Sequence, residues 1–306
     1  MPIMKDGPRS PRFHPLPLPG NTSLAELPRL GVSAEMAAAL PHAPQGACIS
    51  WGIPFQVDRV AALVDQPITL ALNPTHGRWL VFLHTSDQRP MTPGPGGFYS
   101  PMRGQGQLNE HAADYVVLYD DGSETRIPIR RRHHIGAFQR IWGENCFQCV
   151  PDHKPYPMHA HHEQMTPDWG RSQMRANPGD MGLWVNWLYA WENPHPDKAI
   201  VGLRCEPASG IVILAGLAYG DVASQPLRWE PRRKALIALP EGEAFAPDLD
   251  KDGLLAQIQL DLGTVISATR QTIYPNEAWD KSYNNQLPEL SSNKVLIEYT
   301  AHPEAC

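Results

Sequence analysis

The sequence predicts a mainly β protein, a β-sandwich of jelly-roll type with long loops followed by a second, smaller β unit. Three observations predict it. There are 32 prolines in 306 residues, and each proline inside a helix costs roughly 3 kcal/mol, so long helices cannot dominate. From Cys48 onward the apolar residues recur with period two, in short runs punctuated by Gly, Pro, Asn and Asp. No helical pattern alternates with these runs, which argues against a parallel α/β sheet.

The first division spans residues 1–46. Residues 1–20 carry six prolines and read as an extended arm suited to lie on a neighbouring surface. Within 22–40 the sequence predicts a short helix, with Ser33 as its cap, Glu35 in its first turn and Pro41 as its stop. The second division, 47–222, holds the sandwich strands and a long insertion at about 136–181. CISWGIPFQV, PITLALN, RWLVFLHTS, LWVNWLYAWE, KAIVGLRCEP and GIVILAGLAYG are its strand-like runs. YVVLYDDGSETRIPI is the clearest hairpin, because Asp121-Gly122 supplies the positive φ of a tight turn. In GLWVNWLYAWE the residues Leu183, Val185, Trp187, Tyr189 and Trp191 share one face, which reads as core and not as a sugar-stacking platform. The third division, 223–306, offers two strands around Gly263 in LLAQIQLDLGTVISATRQTIY, then a polar loop, then the strand KVLIEYTAHPEAC. The chain stops directly after that strand, which leads us to expect a larger parent polypeptide.

Net charge is −6, without a basic stripe, and this disfavours a nucleic-acid partner. The densest basic run, RIPIRRRHH (126–134), alternates like the solvated face of a strand. No apolar run is long enough to span a bilayer and no signal core opens the chain, so no membrane association is expected. Five scattered cysteines are not a secreted disulfide framework, and a cytoplasmic location follows as the expectation.

The richest chemistry lies in residues 146–162, CFQCVPDHKPYPMHAHH. Zinc takes about four N or S donors in a tetrahedron, and C-x₂-C places two thiolates on one ion. Cys146 and Cys149 would form that pair, with His159 and His161 or His162 closing the shell. A closed structural site suits this spacing better than a catalytic one. Pro155 and Pro157 keep HAHH from being the H-x-H of a metallohydrolase barrel strand. In ENPHPDK (192–198), Glu192, His195 and Asp197 offer an acid/base constellation, but two prolines make it a rigid turn. Phosphate cradles and nucleophile elbows are missing from the sequence, and it nominates no catalytic set. Trp142, Trp169 and Trp279 sit in loop-like contexts and are the residues a small-molecule or carbohydrate ligand would stack on.

GIPFQV, WLVFLHTS, YVVLYDDGSETRIPI and YAWENPHPDKAIVGLRC, in that order, resemble a galactose-binding-like β-sandwich over about residues 47–220. The most specific words are DDGSETRIPI (120–129) and WENPHPDKAI (191–200). Such modules recur as accessory domains in large bacterial hydrolases, including carbohydrate-active enzymes. LLAQIQLDLGTVISA is similar to the opening of another such module. The arrangement also resembles the region preceding the catalytic domain of metallohydrolases similar to carbaryl hydrolases. The resemblance implies a non-catalytic region serving assembly or ligand presentation, with Asp197 accepting backbone N–H bonds in its turn. Two other readings compete: a metal-dependent hydrolase built on segment 133–162, and a free-standing carbohydrate-binding module. The long loops at 86–112 and 136–181 exceed what a sandwich needs, and we expect a homodimer in which arms or insertions cross the interface.

Overall fold

Strands dominate the chain from residue 13 onward, each on a stretch whose apolar pattern matches the faces it buries. The computed structural model describes residues 5–89, 93–97, 107–139, 145–155, 183–274 and 289–306. In chain order the strands are β1 (Phe13–Leu16), β2 (Gly46–Ser50), β3 (Ile53–Val57), β4 (Ala61–Leu63), β5 (Ile68–Thr75) and β6 (Trp79–Ser86). They continue with β7 (His111–Tyr119), β8 (Glu124–Arg130), β9 (Val150–Pro151), β10 (Trp187–Glu192), β11 (Ile200–Pro207) and β12 (Val212–Gly220). The last three are β13 (Arg233–Ala238), β14 (Gly263–Ile273) and β15 (Glu289–Ala301). A 3₁₀ segment, Leu24–Leu30, and the helix α1 (Ala34–Ala39) precede β2. Ser33 caps α1 as expected, its hydroxyl accepting the Met36 N–H at 3.0 Å.

Every strand pairing between these elements is antiparallel. The first sheet runs β1-β12-β6-β10-β9, with β4 also on β12; the second runs β5-β11-β7-β8. Leu80 and Phe82 of β6 and Leu214 and Leu217 of β12 share one core with Tyr115 and Val117 of β7, Ile127 of β8 and Leu203 of β11. The two sheets therefore face each other as a sandwich. The first sheet is buried on its other face as well, where Phe55 of β3, Leu27 and Met36 cover Val81, Leu83 and Ile213. That double burial explains why WLVFLHTS is apolar without a break. The third sheet, β13-β15-β14, packs its inner face on Phe245, Leu255 and Ile258. Among the described residues no helix is long and apolar enough to cross a membrane.

The hairpin at Asp121-Gly122 forms as the sequence predicts: β7 and β8 pair across it, and Gly122 sits at φ 81°. Within the arm, Phe13–Leu16 pairs in register with Leu217–Gly220 of its own chain. Two expectations are corrected. Only the second of the two strands expected around Gly263 exists. Residues 254–262 bury Leu255, Ile258 and Leu262 without a ladder, apart from a single bridge between Leu249 and Leu255. Within the basic run, Arg131 is not solvated but only 2% exposed.

Candidate functional site

Among the described residues, two of the places that gather polar groups away from water border the segment 145–155. The first surrounds Cys146 and Cys149. The Phe147 N–H donates to the Arg132 carbonyl at 3.0 Å and the Gln148 N–H to the His133 carbonyl at 2.9 Å, so the bend between the cysteines is pinned to the end of the hairpin. The Arg228 guanidinium also donates to the Phe147 carbonyl. Cys149 is buried among Val185, Trp187 and Tyr189, with Cys146 packed at the edge of the same core. The two thiols are close enough to act on each other electrostatically. Burial, reinforced by Cys146, holds the Cys149 thiol well above its ordinary pKa, and burial beside Cys149 pushes Tyr189 up to about 12.

Behind this pair lies a chain of polar rings. His84 is fully buried between the Tyr115 hydroxyl at 3.0 Å and the His134 carbonyl at 2.9 Å. A carbonyl can only accept, so Nε2 of His84 carries the proton and Nδ1 accepts from the Tyr115 O–H. Burial pushes its pKa down to about 3, which keeps the ring neutral and fixed at pH 7. His134 accepts the Arg130 N–H and meets Gln148 Oε1, both at 3.1 Å. Burial lowers its pKa too. These imidazoles hold the hairpin end; their nitrogens are occupied by protein partners.

For zinc, the structure supplies the two thiols. Among the described residues no three His, Cys, Asp or Glu side chains converge to hold an ion. His159, His161 and His162 lie outside the described residues, and so do Trp142, Trp169 and Trp279. Cys146 and Cys149 fit a soft metal as half of a shell.

The turn at ENPHPDK is structural. Asn193 Oδ1 accepts the Tyr119 hydroxyl at 2.7 Å and the His195 N–H at 3.0 Å, while its amide donates to the Gly77 and His195 carbonyls. The organising side chain is Asn193, where the resemblance implied Asp197. Glu192 pairs with Arg78 at 2.9 Å, and Lys198 pairs with Asp121 at 2.7 Å across the hairpin. In the aromatic stripe Val185, Trp187 and Tyr189 are core as expected, whereas Leu183 is exposed.

The second polar centre joins the arm, the sandwich and the third unit. Trp51 and Gly52 close the β2–β3 hairpin with φ of 57° and 78°, a left-handed pair that a bulky residue adopts only under constraint. The constraint is visible. Asp6 Oδ2 accepts the Trp51 N–H at 2.7 Å and the Lys154 N–H at 3.0 Å. The Trp51 indole donates to the Pro151 carbonyl at 2.8 Å and packs on Trp229 at 4.5 Å. A Cβ at Gly52 would lie 2.3 Å from the Asp261 carbonyl oxygen, so the close approach admits glycine alone. Lys154 is buried and donates to the carbonyls of Leu260 at 2.8 Å and Asp261 at 2.6 Å. Burial lowers its pKa, against the pull of Asp6 and Asp261.

Asp152 is half-buried as a residue, but its carboxylate is enclosed. Burial, with Asp6 nearby, raises its pKa to about 7, although the Asn186 N–H donates to it at 3.1 Å. A cavity of about 30 Å³ lined by Asp6, His153, Lys154 and Thr264 opens beside the junction. That volume suits a water or two and no substrate.

Sequence reasoning missed this junction because its partners are far apart in the chain. It also passed over Asp248, Asp250 and Asp252 ahead of Gly253 (φ 76°), an alternation that opens calcium loops. Asp250 Oδ1 accepts the N–H groups of Asp252 and Leu254 at 2.9 Å, and Gln259 stands where such a loop has its bidentate Glu. Three carboxylates do not converge there either.

No family model matches the chain, and no curated protein matches it.

Proposed function

We propose that this chain is a galactose-binding-like, jelly-roll region of a larger bacterial hydrolase, and that it serves assembly. The observation that carries the reading is where the polar and apolar groups are spent. Inside the sandwich His84, Arg131 and Asn193 are engaged in bonds that hold strands and turns. On the outer face of the third sheet, Leu236 and Leu296 stand opposite each other and are 53% and 41% exposed. Lys234 pairs with Glu298 one step along the same face, and Ala238 with Lys294. A small apolar centre rimmed by both signs of charge is self-complementary under a two-fold axis. A second copy of the chain is the occupant we assign to it.

The test is turnover by residues 1–306 alone. With 4-nitrophenyl acetate and a 1-naphthyl carbamate as probes, hydrolysis should not exceed that in buffer. Turnover that a chelator abolishes would contradict this reading and move the activity to the Cys146–Cys149 segment, the second reading, which the two cysteines packed on one core favour.

A further inference from the structure

Cys146 and Cys149 carry an inference that stands apart from assembly. Both are free thiols, and they flank a two-residue bend whose intervening N–H groups are bonded to the Arg132 and His133 carbonyls, packed against one and the same core. A disulfide requires Cα atoms within about 7 Å and side chains that converge; a C-x₂-C bend brings its cysteines near in the chain, and here both side chains pack on the same core. The thiols also differ in access: Cys149 is 4% exposed, and Cys146 lies nearer the surface. That asymmetry assigns an order to the chemistry.

We propose that Cys146 and Cys149 form a reversible dithiol–disulfide couple that exchanges with small-molecule disulfides of the glutathione class. The Cys146 sulfur, as thiolate, attacks one sulfur of the external disulfide; that S–S bond breaks and one small thiolate leaves. The Cys149 sulfur, giving up its proton, then attacks Cys146 in the mixed disulfide and expels the second small thiolate. Two protein thiols are oxidised, one external disulfide is reduced to two thiols, and both protons go to the leaving thiolates. The product staples the bend that the Arg228 guanidinium and the Arg132 and His133 carbonyls hold, so oxidation stiffens the contact between the hairpin end and the segment leading to the third sheet.

The experiment treats the full chain, with and without prior EDTA, with glutathione buffers from reducing to oxidising, traps thiols by alkylation and maps them by mass spectrometry. Alkylation at Cys146 and Cys149 should disappear together, leaving an intact chain lighter by two hydrogens, with or without EDTA. The variant Cys149→Ser should stop at a glutathione adduct on Cys146, and Cys146→Ser should leave position 149 reduced. Both thiols still alkylated at the most oxidising buffer would overturn the proposal. So would loss at Cys306 alone, or oxidation at 146 and 149 only after EDTA, the last marking a metal pair instead.

Discussion

The outer faces of the second and third sheets are built from opposite materials. On the second sheet Arg126 bonds Asp114 at 2.7 Å and Glu206 at 2.6 Å, while Arg204 bonds Glu206 at 2.8 Å and Glu124 at 3.0 Å. The arginine stems cover Val116, which is fully buried beneath them. Individual exposed ion pairs of this kind contribute little stability. Their effect is to satisfy the face and close it. Among the described residues the third sheet has no such cover over Leu236 and Leu296, which are exposed. Paired charge over one sheet and exposed leucines at the centre of another are the contrast on which the proposed assembly role rests.

Arg131 sharpens the contrast from inside the sandwich, and it carries the largest expected effect. Its guanidinium donates to Ser86 Oγ at 2.7 Å and to the Ser209 carbonyl at 2.7 Å. Its Nε lies 3.2 Å from Glu110 Oε2, an ion pair without the angle of a hydrogen bond. Burial pushes its pKa down to about 10, so it remains charged at neutral pH. Arg131→Ala strands those acceptors and should destabilise by about 3–5 kcal/mol, read from chemical denaturation. A loss under about 1 kcal/mol would mean that water replaces the guanidinium.

The junction gives the next effect, through pH. Asp152 has its pKa raised by burial from 3.8 to about 7; the folded protein binds this proton more tightly than the unfolded chain. Its contribution is therefore complete below about pH 4 and is lost as pH rises through about 7. Unfolding free energy should fall by about 2–4 kcal/mol from this group over that range, since each tenfold tightening of proton binding contributes about 1.4 kcal/mol. Asp152→Asn should flatten that part of the profile. A parallel profile in the variant would place the dependence on another group.

How much of this was legible in the sequence depends on the distance over which each feature is decided. The hairpin at Gly122 and the cap at Ser33 are local, and both are read directly from their residues. Runs such as WLVFLHTS announce burial but not which sheet they join. LLAQIQLDL alternates like a strand, yet residues 254–262 form no ladder beyond the single Leu249–Leu255 bridge, and bury Leu255 and Ile258 in the third core and Leu262 in the sandwich core. Arg131 looked solvated because its partners, Ser86 and Ser209, are 45 and 78 residues away. The Asp6 junction is the extreme case, with Trp51 and Lys154 at separations of 45 and 148. Of the metal and ligand candidates, only Cys146 and Cys149 fall on described residues, and what the fold adds to them is a shared core and a pinned bend.

The smallest effect on the folded monomer belongs to the leucines. Leu236→Ala and Leu296→Ala should each change unfolding free energy by no more than about 0.5 kcal/mol, as for exposed positions without specific partners. A loss of about 2 kcal/mol at low concentration would show that they are packed within the chain, and the contrast between the two sheets would vanish.

Size-exclusion chromatography with light scattering, on the native chain and on Leu236→Glu/Leu296→Glu at micromolar concentration, decides whether the third sheet carries assembly. The native chain should run as a dimer and the double variant as a folded monomer, with an unchanged circular-dichroism spectrum. A native chain that is monomeric throughout, or a dimer that survives both substitutions, would contradict that role.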